Sequence, residues 1–253
     1  ALKQKQAIDQ RLRRASNAVD QFSLFVPEAV RRLVGTDPDA PELGGKVEQD
    51  LTVLFLDISE YSRLSERLPA GALNELVERY FSVCLHRIQE AGGDINETAG
   101  DGFMAMFQHG EPSRHAAAAA EAALCLRQAA GQFALDPAAG EAAAPPSGGA
   151  TEPLHVHIGL NSGVALVGAT RLQGRHGMRW TFTASGQVTN LAARLAAGAG
   201  PDEVLVGPRT AEYLTGRFEL EDLGPRQFKN LAAPVPVFRL LRPAPAGGGA
   251  AGP

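Results

Sequence analysis

The chain has 253 residues, 44% hydrophobic, 21% charged and 6% aromatic, the composition of a globular protein with one sizeable core or one domain plus an appendage. A formal net charge of -4 excludes a protein that grips nucleic acid by neutralising its phosphate backbone, but not one that binds a single nucleotide through a few placed cations. No apolar run reaches bilayer length and no signal peptide opens the chain, so this domain is expected to be cytoplasmic, in a full-length protein that is either soluble or membrane-tethered through a further N-terminal part.

The first residue is Ala rather than Met, so the chain reads as a piece of a longer protein. Residues 2–22 are predicted helical. Ile8, Leu12, Ala15, Val19 and Phe22 follow the four-three spacing that keeps one stripe toward a partner, with charged residues elsewhere. The stripe covers about two heptads and is marginal alone. It suits either a helix packed on its own domain or a parallel dimer stalk carrying a signal from an upstream sensor module. With a second short helix opening at Pro27, residues 1–35 form a helical transducer segment. Residues 36–48, rich in Pro, Gly and Asp, are expected to be a linker.

Leu51 to Leu56 is a continuous apolar run ending at Asp57, as a central strand covered on both faces requires. Leu68 to Glu90 has helical periodicity, with Leu73, Leu76, Val77, Tyr80, Phe81, Cys84, Leu85 and Ile88 on one face. Residues 94–107 read as a hairpin turning at Ala99-Gly100-Asp101-Gly102, and residues 112–134 as an Ala-rich helix. Residues 136–152 are low-complexity and are expected to be a mobile loop. Strands at 154–160 and 163–169 flank an expected Asn161-Ser162-Gly163 turn, followed by a strand from Arg179 to Ala184 and a helix from Gln187 to Ala197. A strand at Glu203–Val206, a helix at Pro208–Leu214 and a strand at Val235–Leu241 close the domain, before a disordered tail at 243–253. Cys84 and Cys125, far apart in helical patterns, are expected to be buried reduced thiols. The order βαββαβ predicts an α+β fold with a ferredoxin-like sheet, its helices on one face, over 49–242.

Two aspartates sit where strands end or turn. Asp57 terminates an apolar strand, where a charge needs a partner, and Asp101 lies at a glycine-flanked tip that a ligand can approach closely. Brought together, they can hold hard cations such as Mg2+ or Mn2+, although an Asp before Gly is by itself an ordinary turn residue. Asn190 and Arg194, four apart, share a helix face, and an amide beside a cation suits a ribose and a phosphate as well as solvent. Lys229, in a loop before the last strand, is either solvated or in reach of a triphosphate.

The stretches LTVLFLDISEYSRLS, GGDINETAGDGFMAMF, HVHIGLNSGVALVG and WTFTASGQVTNLAARL resemble, in order and spacing, the class III adenylyl/guanylyl cyclase catalytic domain over about 50–241. The resemblance implies two Mg2+ or Mn2+ ions per active site, bound by Asp57, Asp101 and the backbone carbonyl of Ile58. It implies that Asn190 orients the ribose, that Arg194 stabilises charge developing on the α-phosphate, and that Lys229 holds the terminal phosphates. At Lys229 the chain departs from the family's usual Lys-Gly, having Lys229-Asn230. The resemblance further implies a head-to-tail homodimer with the metal aspartates from one subunit and Asn190 with Arg194 from the other. The substrate is then a nucleoside triphosphate and the product a 3′,5′-cyclic nucleotide.

Alignment to Gly100 and Gly186 places Glu97 and Thr183 at the two base-contacting positions of the family, where adenylyl cyclases typically have Lys with Asp or Thr, and guanylyl cyclases Glu with a small polar residue. Glu97 only accepts, matching the two donors of guanine, whereas adenine N1 would face it unpaired at a cost of roughly 1–3 kcal/mol. Thr183 donates or accepts and does not decide. GTP is therefore favoured, with ATP as the alternative and a pyrimidine nucleotide behind both. Two rival readings are a catalytically inactive nucleotide-binding or dimerising module, against which the retained Asp57, Asp101 and Arg194 stand, and a palm-type enzyme joining two nucleotides, which would not need Asn190 and Arg194.

Overall fold

A computed structural model describes residues 2–135, 152–175, 177–229 and 231–245. Three helices open the chain: α1 (Leu2–Ser23), α2 (Glu28–Thr36) and α3 (Pro41–Gly44). Then follow β1 (Lys46–Ile58), α4 (Tyr61–Arg67), α5 (Ala70–Glu90), the hairpin β2 (Asp94–Ala99) and β3 (Gly102–Phe107), α6 (Pro112–Ala130), and the two-residue strands β4 (Ala134–Leu135) and β5 (Glu152–Pro153). The second half holds β6 (Val156–Gly174), β7 (Gly177–Ser185), α7 (Gln187–Ala197), β8 (Val204–Val206), α8 (Pro208–Leu214), β9 (Phe218–Arg226) and β10 (Val235–Pro243). The chain divides into two compact units, one of residues 1–46 with 168–182, the other of 47–167 with 183–253.

The strand order of the sheet is β2-β3-β1-β6-β8-β10-β9, with β7 pairing β6. Its first four strands have the ferredoxin-like arrangement expected from the sequence. β1 is central because Leu51, Val53, Leu54 and Leu56 are buried on both of its faces. Successive side chains of a strand point to opposite faces. On β8, Val204 and Val206 join the main core of α5, α6 and α8, while Leu205 packs with Leu195 of α7 and Val237 of β10. Helices therefore cover both faces of this sheet: α7 lies opposite α5, α6 and α8, not on one shared face as the element order suggested. The main core is tightened by Tyr80, whose ring meets Phe133 edge-on at 5.4 Å and whose hydroxyl donates to the Leu126 carbonyl at 3.1 Å.

Several expectations change. The segment before β1 is not all linker, since Pro41 opens the short helix α3. Asn161-Ser162-Gly163 is no turn: β6 runs through it unbroken. Its turn-forming side chains find distant partners instead, with Asn161 Nδ2 donating to the Val188 carbonyl at 3.1 Å and the Ser162 hydroxyl 2.7 Å from that of Thr52. α4 and β9 were not anticipated. β9 is the sheet edge, paired among the described residues with β10, and intersperses Glu219, Glu221 and Asp222 with its apolar Phe218, Leu220 and Leu223. Cys84 is a buried free thiol that burial pushes up to about 12, but Cys125 is exposed on α6. The loop expected at 136–152 and the tail beyond Pro245 lie outside the described residues, except that β5 begins at Glu152 and β10 extends to Pro243.

In the smaller unit, α1 has an exposed stripe: Leu12, Val19 and Phe22 are 63%, 66% and 72% exposed. No helix among the described residues is long and apolar enough to cross a membrane.

Beneath the main core, a buried polar chain ties β1, β6, α6 and α8 together. Thr52 Oγ1 lies 2.8 Å from His115 Nδ1, and Thr210 donates to Ser162 at 3.0 Å. His115 Nε2 faces Asp50 Oδ1 at 3.6 Å, while Arg209 pairs with the other Asp50 oxygen at 3.2 Å. Burial lowers the His115 pKa from its ordinary value of 6.5, against the opposing pull of Asp50. The folded chain thus favours neutral His115, and the unfolded state binds more protons as pH falls through the ordinary histidine range. Urea midpoints should fall as pH is lowered from about 8 to 5, and His115→Gln should flatten that slope even if it lowers stability throughout.

Candidate active site

The register of β1 against β3 sets the site. Asp57 lies opposite Gly102, and Ile58 donates its N–H to the Asp101 carbonyl at 3.0 Å. The strand end and the hairpin tip are thereby joined. Gly100 turns the tip at a φ of +61°, and Gly102 has no room for a side chain: a Cβ there would lie 2.7 Å from the Leu56 carbonyl and 3.0 Å from an Asp57 carboxylate oxygen. The Asp57 and Asp101 carboxyl groups consequently come within hydrogen-bonding reach of each other. Burial raises the Asp57 pKa and the neighbouring Asp101 charge raises it further, while His157 and the Ile58 N–H oppose both.

This pair fits a hard divalent cation. Like-charged, half-buried oxygen donors lose their mutual repulsion when a cation joins them. Among the described residues no group of three or more His, Cys, Asp or Glu forms such a site, so a bound ion would complete its shell with backbone carbonyl, water and substrate oxygens.

A cavity of about 200 Å³ opens beside Asp57. Glu97 borders it from β2, Phe55 and Met104 from β1 and β3, and Ala193, Ala196 and Ala197 from α7. Asn190, Arg194, Thr183 and Lys229 do not line it. Along α7, Asn190 and Arg194 lie one turn apart; Asn190 is about 60° around the helix from Ala193 and about 20° from Ala197, and Arg194 about 100° and about 60° from them. The helix thus presents alanines to the cavity beside Asp57, while Arg194 lies further around it. Asn190 and Lys229 are exposed, whereas Arg194 is half-buried with a buried Nη1 that has no hydrogen-bond acceptor. Thr183, half-buried on β7, donates only a long 3.3 Å bond to the Ala184 carbonyl.

Sequence reasoning missed two residues beside the site. His157 of β6 acts on Asp57 electrostatically and has a buried Nδ1 without a partner. A histidine inside an apolar strand was the available signal. Asn96 is the extra residue of a bulge between Ile95 and Glu97, and both its amide atoms are buried without partners. Bulges leave no mark in the hydrophobic pattern.

Residues 45–238 match the family model of the adenylate and guanylate cyclase catalytic domain, and the chain belongs to that family. It is a class III nucleotidyl cyclase catalytic domain. Over 236 residues it is 26% identical to "Adenylate cyclase 1" of Rhizobium meliloti (strain 1021), covering 91% of this chain and 33% of that protein. Against "Adenylate cyclase, terminal-differentiation specific" of Dictyostelium discoideum it is 24% identical, over 84% of this chain and 9% of that one. The chain thus spans about a third or less of the curated relatives' length. Among solved structures, the adenylyl cyclase CyaB from P. aeruginosa superposes with a TM-score of 0.64 at 26% identity, covering 78% of this chain and 95% of the other. The guanylate cyclase domain of RhGC from Catenaria anguillulae, in complex with GTP, shares the fold with a TM-score of 0.65 at 19% identity, covering 78% of this chain and all of the other.

Without divalent cations, removing one of two adjacent carboxylates relieves repulsion. Asp101→Asn should therefore raise the thermal midpoint in chelator by a few degrees at neutral pH, while abolishing the Mn2+-induced stabilisation of the wild type in the same calorimetric scan.

Proposed function

We propose that this domain converts a nucleoside triphosphate, GTP in preference to ATP, into a 3′,5′-cyclic nucleotide and pyrophosphate, within a homodimer whose two sites are each shared between copies. The observation that carries this is the Asp57–Asp101 pair, two carboxylates held together at a strand end against burial and repulsion. Two Mg2+ or Mn2+ ions held by Asp57, Asp101 and the Ile58 carbonyl would neutralise phosphate charge and lower the pKa of the ribose 3′-hydroxyl.

The 3′-oxygen attacks the α-phosphorus in line, and the bond to the β-phosphate oxygen breaks. Arg194 meets the charge that develops on the α-phosphate, which suits a guanidinium nitrogen left without an acceptor. Asn190 orients the ribose, and Lys229 holds the terminal phosphates as a point charge. Sharing between copies is supported by the lining of the cavity beside Asp57, to which α7 of the same chain contributes alanines and neither Asn190 nor Arg194. The exposed α1 stripe of Leu12, Val19 and Phe22 suits a parallel stalk between the two copies.

Glu97 at the cavity wall favours guanine, because its carboxylate accepts from both N1–H and the 2-amino group. ATP is the second reading, favoured by the adenylate cyclases among the relatives. Incubation with Mn2+ and each of four triphosphates, with products identified by mass spectrometry, should give chiefly cyclic GMP. Cyclic AMP in excess overturns the base reading, and no cyclic product from any triphosphate overturns the cyclase reading. Glu97→Lys should lower the GTP-to-ATP ratio of kcat/KM by about 10- to 100-fold.

Asp57→Ala and Arg194→Ala chains should each be inactive. Mixed in equal amounts, they should recover about a quarter of wild-type activity, because half the dimers then hold one intact site of two. A mixture that stays inactive would remove the shared site from this mechanism.

A further inference from the structure

In the smaller unit, the last carbonyls of α3 meet the strands of the β6–β7 arm. A helix leaves its final carbonyls without partners inside itself. Here Arg171 Nη2 donates to the Gly44 carbonyl at 2.7 Å, and the Ala169 N–H donates to that of Gly45 at 3.2 Å. The approach depends on Gly168, which adopts a φ of +143°; a Cβ there would lie 2.1 Å from the Gly45 carbonyl and 2.8 Å from that of Glu42. The Arg171 guanidinium also lies 4.6 Å from the centroid of the Trp180 ring on β7. One side chain therefore joins the end of α3, strand β6 and strand β7.

Among the described residues β7 pairs with β6, and the clasp adds a hold from the end of α3. Trp180 precedes Thr183 by three residues on the same strand, and β7 leads directly into α7 with Asn190 and Arg194. Both Arg171 and Trp180 are exposed, so neither is needed to fill a core. We infer that Arg171 and Trp180 are positioning residues that hold β7 at the end of α3, and through the continuous chain of that strand limit the freedom of Thr183. The inference rests on the cyclase reading for its kinetic consequence but not for its structural one.

The test uses the full chain and four variants, Arg171→Ala, Arg171→Lys, Trp180→Ala and Trp180→Phe. Hydrogen exchange followed by mass spectrometry reads the segment 179–185, with 94–107 as the internal control. Steady-state kinetics with GTP and ATP, and Mn2+ affinity by electron paramagnetic resonance, complete the set. Losing a charge-assisted hydrogen bond and a cation–π contact in Arg171→Ala should speed exchange in 179–185 about ten-fold, and Trp180→Ala somewhat less. Exchange in 94–107 and Mn2+ affinity should stay as in the wild type. KM should rise several-fold, kcat should change less, and the GTP-to-ATP ratio should narrow. Trp180→Phe, which keeps an aromatic face under the guanidinium, should restore most of the loss, and Arg171→Lys should fall between.

Unchanged exchange in 179–185, or an equal rise in 94–107, overturns the clasp. Faster exchange in 179–185 with KM and the base ratio unmoved overturns the positioning role. A wild-type chain that forms no cyclic nucleotide fails the cyclase reading instead, and the exchange measurement still judges the clasp.

Discussion

Two carboxylates that repel each other are held side by side where β1 ends, and the architecture of the larger unit serves to keep them there. The apolar residues of β1 drive it into the middle of the sheet, its register against β3 sets Asp57 opposite Gly102, and the absence of a side chain at Gly102 lets the Asp101 tip fold over. Folding therefore runs against electrostatics at this point: burial and like charge both raise the Asp57 pKa. Such local opposition is sustained by the packed strands around it and is relieved by a cation, which is why the pair reads as a site rather than as a turn.

The same sheet decides what the aspartates can work with. α7 packs Leu195 on Leu205 and Val237, on the sheet face away from α5, α6 and α8, and that seat fixes its rotation. Ala193, Ala196 and Ala197 then line the cavity beside Asp57, which Asn190 and Arg194 do not. That separation within one chain is what the proposed second copy would complement. In the smaller unit, the exposed stripe of α1 and the clasp between α3 and the β6–β7 arm suit a segment that meets another copy on one side and holds a strand on the other.

Much of this was legible in the sequence because it is local. The apolar run of β1, the 3.6-residue stripe of α5, the glycine-flanked tip at Asp101 and the spacing of Asn190 and Arg194 are each readable from residues close in the chain. What misled was also local chemistry. Asn161-Ser162-Gly163 carries turn residues, yet Asn161 bonds Val188 and Ser162 bonds Thr52, partners far away in sequence, so the strand continues. The apolar pattern of β9 is short, Phe218, Leu220 and Leu223 broken by charges and by Gly224-Pro225, as an edge strand with little to bury allows, and α7 was placed with the other helices because element order does not say which face a helix covers.

By itself, the sequence determined the class of fold, the residue types available for chemistry and the family they resemble, since these follow from periodicity, spacing and ordered motifs. Tertiary structure alone decided that Asp57 and Asp101 stand side by side, that His157 acts on Asp57, that Asn96 bulges before Glu97, that Arg194 does not line the cavity beside its own Asp57, and that Arg171 bridges α3 to Trp180. Each of these depends on strand register, a bulge or the rotation of a helix on a sheet, quantities fixed by long-range packing rather than by neighbours in the chain.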